Sequence, residues 1–375
     1  MKASVLQENL TRGLNTISRF ITPRPQLPIL NNVLVKTDQG RIKLSATNLE
    51  TGINFWLGAK VEKEGSVCVP AKTLTEYISS LPPQKINLEI EQNSLKIICE
   101  DYQAQFLTSP SAEFPVMPTL EKKPEVFLTS RDLANAITQV TFAAAQDEGR
   151  PVLTGVLLKI KKGKLFLIAT DGYRLSLKEL KDLKEVEKLA KIQNELLIPA
   201  RALSEVSKVI NEADEGSYLG LTITPKNNQI IFSTPDVEII SRLIEGKFPD
   251  FEKIIPEKSK NQVTIETENL LQAVRTASIF AREAANIIKF EIKNNKLEVS
   301  SHNPQLGENK VTLEVKTQGS GGKIAFNSRY LIEFLTSFKS DLLYFQMNDS
   351  LSPGVFSPTE DKSYLHVIMP IRIQE

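Results

Sequence analysis

Pro70-Ala71-Lys72-Thr73-Leu74-Thr75-Glu76 is written three times into this chain. It returns as Pro199-Ala200-Arg201-Ala202-Leu203-Ser204-Glu205 and as Asn327-Ser328-Arg329-Tyr330-Leu331-Ile332-Glu333, with a cation, a leucine and a glutamate at fixed offsets. Proline and asparagine both open helices, one through a fixed φ with no amide to satisfy, the other through a capping side chain. A second helix comes before each copy: Leu10, Leu14 and Ile17 repeat as Leu133, Ile137 and Val140 and again as Leu270, Val274 and Ala277. The spacing i, i+4, i+7 is one apolar stripe of an amphipathic helix. Ser130 and Thr267 stand three residues before the first leucine of their copies, where a side-chain oxygen can cap exposed amides; Gln7 holds that place in the first copy.

Outward from the helices, alternating strands recur as Ile42–Thr47, Leu165–Thr170 and Leu297–His302, and the copies close on Phe114-Pro115, Phe248-Pro249 and Met369-Pro370. The sequence thus reads as an α+β chain of three tandem domains, each with two helices on antiparallel sheets. Boundaries near Pro124 and Ile255 give domains 1–124, 125–255 and 256–375. A unit of about 125 residues carries its own core, whereas solenoid and propeller repeats run roughly 20 to 50 residues.

The 375 residues hold 46 Lys plus Arg against 45 Asp plus Glu, a net charge of +1 that excludes any function needing a uniformly basic surface. Hydrophobic residues at 41% and charged residues at 24% exclude a disordered chain. Cys68 and Cys99 lie in alternating runs without Cys-x-x-Cys spacing and read as two reduced strand cysteines. The N-terminus reaches charge before any run long enough for a signal peptide, and no stretch approaches ~20 apolar residues, so the expected location is the cytoplasm.

The helix faces turned away from the leucines are basic. Arg12 and Arg19, Arg201 and Lys208, and Arg275 and Arg282 are each seven apart, so each pair shares a face, and Lys72, Arg201 and Arg329 occupy one place in the three copies. Surface helices commonly carry lysine and arginine. A cation recurring at one position instead suggests that the same face of each domain meets one extended anionic partner, and duplex DNA has that form. Twelve helices side by side at ~9 Å, six from each of two chains, make a circle about 34 Å across and leave an opening of ~24 Å, close to a duplex. One chain is then half of a ring, closed by a second copy joined head to tail.

Arg24-Pro25-Gln26-Leu27-Pro28-Ile29-Leu30, Ala169-Thr170-Asp171-Gly172-Tyr173-Arg174-Leu175, Phe248-Pro249-Asp250-Phe251 and Val367-Ile368-Met369-Pro370-Ile371-Arg372 occur in this order. With them the chain resembles, over essentially its whole length, the bacterial sliding clamp, the beta subunit of DNA polymerase III. The resemblance implies a ring-shaped homodimer that encircles duplex DNA without sequence specificity and tethers the replicative polymerase as a processivity factor. It implies no catalysis, no cofactor and no metal. The family's DNA-facing positions carry over to Arg24, Lys72 and Arg201, with Gln146 and Arg150 at the ends of a DNA-touching loop. Its peptide pocket carries over to Leu153, Thr170, Gly172, Tyr173, Arg174, Leu175, Pro249, Ile254, Leu351, Val367, Met369, Pro370, Ile371 and Arg372. There the polymerase III catalytic subunit, the clamp loader, other polymerases and repair proteins dock through short peptides. A groove of aliphatic residues suits two or three anchors at about 1.5 to 3 kcal/mol each, and an unbranched methionine suits a promiscuous one. The other reading of Val367 to Ile373 is an ordinary edge strand with Met369 in the core. For the subunit joint the resemblance points to Phe106 and Leu107 facing Ile279 and Phe280, which could alternatively cap their own core. Family members are usually acidic, and this chain is not; its Lys178–Lys191 run reads as a solvated loop or short helix.

Enzyme motifs are missing: there is no Gly-x-Ser-x-Gly, His-Glu-x-x-His or Gly-x-Gly-x-x-Gly, and His302 and His366 are the only histidines. Gly319-Ser320-Gly321-Gly322-Lys323 lacks the remaining residues of a phosphate loop and reads as a hairpin turn before a strand at Ile324–Phe326. The adjacent acids Asp147-Glu148, Asp214-Glu215 and Glu360-Asp361 read as solvated surface pairs. A β-rich enzyme or carbohydrate-binding protein built on the same repeats is the competing function class.

Overall fold

The computed structural model describes residues 1–22, 25–118, 120, 124, 126–147, 149–180, 193–212, 217–224, 228–283 and 285–372. Arg24, Glu148, Asp214 and Glu215 lie outside the described residues, as does the Lys178–Lys191 run beyond Leu180.

Among the described residues the six expected helices form: α1 (Gln7–Ser18), α2 (Ala71–Ser80), α3 (Ser130–Thr141), α4 (Ala200–Asn211), α5 (Thr267–Ala281) and α6 (Ser328–Leu335). Every residue of the three apolar stripes is buried, which is why these short segments hold: packing of one face, rather than intrinsic propensity, stabilises helices of this length. α1 lies on the strands Arg41–Thr47 and Thr51–Gly58, and α5 on Lys296–Asn303 and Gly307–Glu314. Within a copy the two helices touch: the Ser18 and Thr75 hydroxyls are 3.3 Å apart, and those of Thr138 and Ser207 are 3.4 Å apart.

The helix starts differ from expectation. Gln7 is buried and its Nε2 donates to the Ile78 carbonyl at 2.8 Å, tying α1 to α2. Ser130 Oγ accepts from the Ser217 hydroxyl at 3.0 Å, and the buried Thr267 Oγ1 has no hydrogen-bond partner among the described residues. Both residues are already inside their helices, where the side chain no longer reaches the free amides. Asn327 behaves as read, its Oδ1 accepting from Arg329 N at 3.0 Å.

The chain sorts into two compact units, Met1–Ser130 with Lys208–Leu243, and Arg131–Ser207 with Ile244–Glu375. The first holds a five-stranded and an eight-stranded sheet, the second a nine-stranded and a four-stranded one, and all described pairings are antiparallel. In the eight-stranded sheet four strands of the first copy continue into four of the second through Thr51–Gly58 beside Val237–Arg242. In the nine-stranded sheet the second copy continues into the third through Arg174–Leu180 beside Tyr364–Ile368.

Each join is pinned by buried polar groups. Ser45 Oγ donates to Asn54 Oδ1 at 2.7 Å and Asn54 Nδ2 to Glu238 Oε2 at 3.2 Å across the first. Ser176 Oγ and His366 Nδ1 meet at 2.7 Å across the second. A register slip would bury these groups unpaired at about 1 to 3 kcal/mol each.

Four more expectations change. Lys316–Gln318 pairs in the nine-stranded sheet and Gly322–Asn327 in the four-stranded one, so the glycine run is a crossover between sheets and not a hairpin. Gly319 and Gly321 take φ of +110 and +79, and a Cβ on them would meet backbone oxygens at 2.4 and 2.3 Å. Tyr364–Ile368 is an interior strand with neighbours on both sides, so the edge-strand reading fails, and Met369 beyond it is exposed. Lys178–Leu180 belongs to a strand, with Lys178 Nζ donating to Asp361 and, at 2.8 Å, to Ser363 Oγ. Asp361 is thus a partly buried ion-pair partner and not a solvated acid; burial raises its carboxyl, but the paired ammonium and Ser363 together hold it below the usual range. Cys68 and Cys99 are buried, unpaired strand residues, and burial pushes the Cys68 thiol up to about 11. No described helix is long and apolar enough to cross a membrane.

Candidate functional site: a docking groove and basic helix starts

The turn between Lys164–Thr170 and Arg174–Leu180 is built by its own side chains. Thr170 Oγ1 donates to the Arg174 carbonyl at 2.5 Å and accepts from Gly172 N at 3.0 Å. Asp171 Oδ1 accepts from Tyr173 N at 2.9 Å and Arg174 N at 3.0 Å. Gly172 supplies the positive φ of +93, and a Cβ on it would stand 3.0 Å from the Arg150 guanidinium. The turn projects Tyr173 outward, 61% exposed.

The ladder beside this turn runs one residue past the last strand: Met369 N donates to the Tyr173 carbonyl at 2.8 Å. Leu175 and Val367, opposite each other, share a buried cluster with Leu157, Ile168, Leu197, Phe248 and Phe251. Leu153 is buried next to Val152, which packs on that cluster, and Pro249 is exposed between its two phenylalanines. Ile254 follows in a short helical turn and is exposed, as are Leu351 and Met369. Ile371 N donates to the Ala325 carbonyl at 2.9 Å, and Leu351, Ile371 and Arg372 line a separate cleft of about 350 Å³. The fourteen expected pocket positions therefore sort into a turn with its ladder and a neighbouring cleft, with Met369 and Pro370 between them along the chain.

Arg174 holds the first of these in place. It is buried, its Nε donates to Asp171 Oδ2 at 3.0 Å, its Nη2 to the Phe142 carbonyl at 2.6 Å, and its Nη1 to Glu333. The guanidinium carbon lies 5.4 Å from the Phe142 ring centre and 4.4 Å from that of Tyr330. Burial, then the Asp171 charge, pushes the Tyr330 phenol up. Phe142, Tyr330 and Glu333 are site residues that sequence reasoning missed. Tyr330 and Glu333 stood in the quoted helix repeat, and a partner for the single arginine after Gly172 was the available signal.

Of the basic candidates, Lys72, Arg201 and Arg329 are each the second residue of α2, α4 and α6, and all are exposed. Arg12 is exposed, its guanidinium 5.8 Å from the Phe55 ring centre. Arg19 closes α1 and pairs with Glu212 at 2.6 Å. Lys208, Arg275 and Arg282 are exposed, and so are Gln146 and Arg150, the latter 3.6 Å from Asp147. Phe106 and Leu107 end an edge strand of the five-stranded sheet, Leu107 being 82% exposed. Ile279 on α5 is 58% exposed and Phe280 half-buried, so Ile279 does not cap its own core. Among the described residues no group of three or more His, Cys, Asp and Glu could hold a metal ion.

Three models of the DNA polymerase III beta subunit match in succession: the N-terminal domain over residues 1–118, the central domain over 127–250 and the C-terminal domain over 252–372. The chain belongs to the DNA polymerase III beta subunit family. It is 30% identical to the beta sliding clamp of Synechocystis sp. over 399 residues, covering all of both chains. It is 28% identical to that of Staphylococcus epidermidis over 383 residues, covering 99% of each. In fold it is similar to the sliding clamp from Bacillus subtilis (TM-score 0.92, 24% identity) and to the beta subunit from Thermotoga maritima (0.90, 27%), each covered in full. The sliding clamp from Pseudomonas aeruginosa bound to griselimycin, 25% identical, has a TM-score of 0.90.

Proposed function

We propose that two copies of this chain close head to tail into a ring around duplex DNA and tether a replicative polymerase to its template without performing chemistry. The observation that carries this reading is the way the repeats join. Twice, the sheet of one copy runs into the sheet of the next, giving eight and nine strands. Left over are the five-stranded sheet ending on Tyr102–Leu107 and the four-stranded sheet ending on Gly307–Glu314, both exposed edges. Joining these edges between two copies would repeat the pattern and give another nine strands, five plus four, and would cover the apolar Leu107. Such a heterologous contact closes under rotation. The division into 1–124, 125–255 and 256–375 belongs to this reading, supported by the matched ranges.

Lys72, Arg201 and Arg329 would meet phosphates, which position a protein on DNA but carry no base information. Tyr173, Ile254, Leu351 and Met369 present exposed apolar surface for the anchors of short peptides from the polymerase III catalytic subunit, the clamp loader, other polymerases and repair proteins. The ring raises the effective concentration of whatever docks there. The work belongs in the cytoplasm with the DNA, and two unpaired cysteines fit a reducing compartment. Solution mass tests the closure: sedimentation should give twice 41.9 kDa, and a stable monomer at micromolar concentration would contradict it.

A further inference from the structure

A cleft of about 720 Å³ opens in the first unit, within the size range of small-ligand sites. α1 gives it Arg12, the residue after α4 gives Glu212, and the turn before Val237–Arg242 gives Thr234 and Asp236. Aromatic rings form much of its wall. Phe55 is buried under the Arg12 guanidinium, whose carbon is 5.8 Å from the ring centre. Phe127 and Tyr218 are 49% and 60% exposed. The register sets Phe127 opposite Gly220 and Thr129 opposite Tyr218, so both rings stand on one face of the sheet as diagonal neighbours. Pro124 covers the bare Gly220, where a Cβ would meet the proline Cγ at 2.4 Å, and adds a third flat surface.

The charges of the cleft are unevenly spoken for. Its two carboxylates are committed, Glu212 to Arg19 at 2.6 Å and Asp236 to Arg41 at 2.8 Å. Arg12 has no carboxylate partner among the described residues. Thr234 Oγ1 accepts from Val237 N at 3.1 Å, which leaves the hydroxyl hydrogen to donate. We propose that this cleft binds a nucleotide, with its base against Phe127 and Tyr218 and its phosphate on Arg12. Aromatic faces stack any base, because every base has a π-face, and a guanidinium meets phosphate through a planar fork of donors. A wholly apolar ligand would leave Arg12 and Thr234 unused, and a cationic one would meet like charge. The nucleotide has two sources, a free molecule or a residue of a single DNA strand. Arg12 belongs to the basic face of α1 that the ring reading turns toward DNA, and only the strand source rests on that reading.

Equilibrium dialysis of the full chain against dTMP, thymidine, deoxyribose 5-phosphate and a single-stranded oligothymidylate tests this. Saturable binding of dTMP is expected, with thymidine and deoxyribose 5-phosphate each about tenfold weaker because one lacks the phosphate and the other the base. Tyr218→Ala and Arg12→Ala, both at exposed side chains, should each weaken dTMP by about tenfold. An oligothymidylate that binds more tightly than dTMP and loses that affinity in Tyr218→Ala assigns the strand as the source; one that binds no more tightly assigns the free nucleotide. Absence of saturable dTMP binding at millimolar concentration, or binding that survives both substitutions, would overturn the proposal. An oligothymidylate held equally by wild type and Tyr218→Ala sits elsewhere on the protein and counts against it too. Neither substitution lies on the proposed joint, so both variants should sediment as wild type, and a dimer without nucleotide binding would remove this inference while leaving the ring reading intact.

Discussion

At Arg174 a guanidinium lies between two aromatic rings, with its donors on two carboxylates and a carbonyl. Next to it sits His366, fully buried and stacked on Phe334 at 4.8 Å, with Nδ1 on the Ser176 hydroxyl and Nε2 unpartnered among the described residues. Burial, and then the Arg174 charge, push the imidazole well below its ordinary value of 6.5. The unfolded chain takes up that proton near pH 6.5 while the folded chain stays neutral to well below it. Stability is therefore complete above about pH 6.5 and falls as the pH drops below it, by at most about 1.4 kcal/mol per pH unit from this site. Thermal unfolding at pH 7.5 and 5.5 should show a loss that His366→Gln reduces; equal losses in both proteins would refute the assignment. Much at this scale was legible, because Thr170 to Leu175 form a local turn whose side chains bond to their own backbone. The Glu333 partner is 159 residues from Arg174, and local spacing carries no information about it.

Among the elements, the helices were the readable part and the sheet connections were not. Apolar residues at i, i+4 and i+7 follow from one helix on one core, whereas whether the chain after Gln318 turns back or crosses to another sheet is decided by distant strands. The cap positions failed at Ser130 and Thr267 because each is already the first residue of its helix, whereas Asn327, which does cap, is the last residue of the strand before α6. The exposed edge at Tyr102–Leu107 and the outer face of α5 carry the proposed joint. Leu107→Asp or Ile279→Asp should place a charge in it and give a folded chain of half the wild-type mass, checked by sedimentation with circular dichroism. A dimer of unchanged stability in both variants would disprove the mapping. For the helix starts, replacing Lys72 and Arg201 together by Ala should flatten the salt dependence of DNA binding, by roughly 0.9 in log–log slope for each phosphate that is no longer neutralised. An unchanged slope, or an altered base preference, would show that these cations do not face phosphates.

On the scale of the whole chain, tandem duplication explains both the fold and the proposed function, since one polypeptide supplies three similar units and two polypeptides supply the rest. The three copies could be read from sequence because each retains its apolar stripes and its cation-Leu-Glu signature. The sharing of the middle copy between two sheets could not, because edge-to-edge joining leaves no local pattern. With a net charge of +1, the protein has no strong overall attraction to DNA, and lasting association must come from closure. The most direct measurement loads the protein onto nicked circular DNA, washes in salt that strips electrostatically bound proteins, and then cuts the circle once. Retention on the circle followed by rapid loss on cutting is the predicted result; equal retention before and after the cut would contradict encirclement.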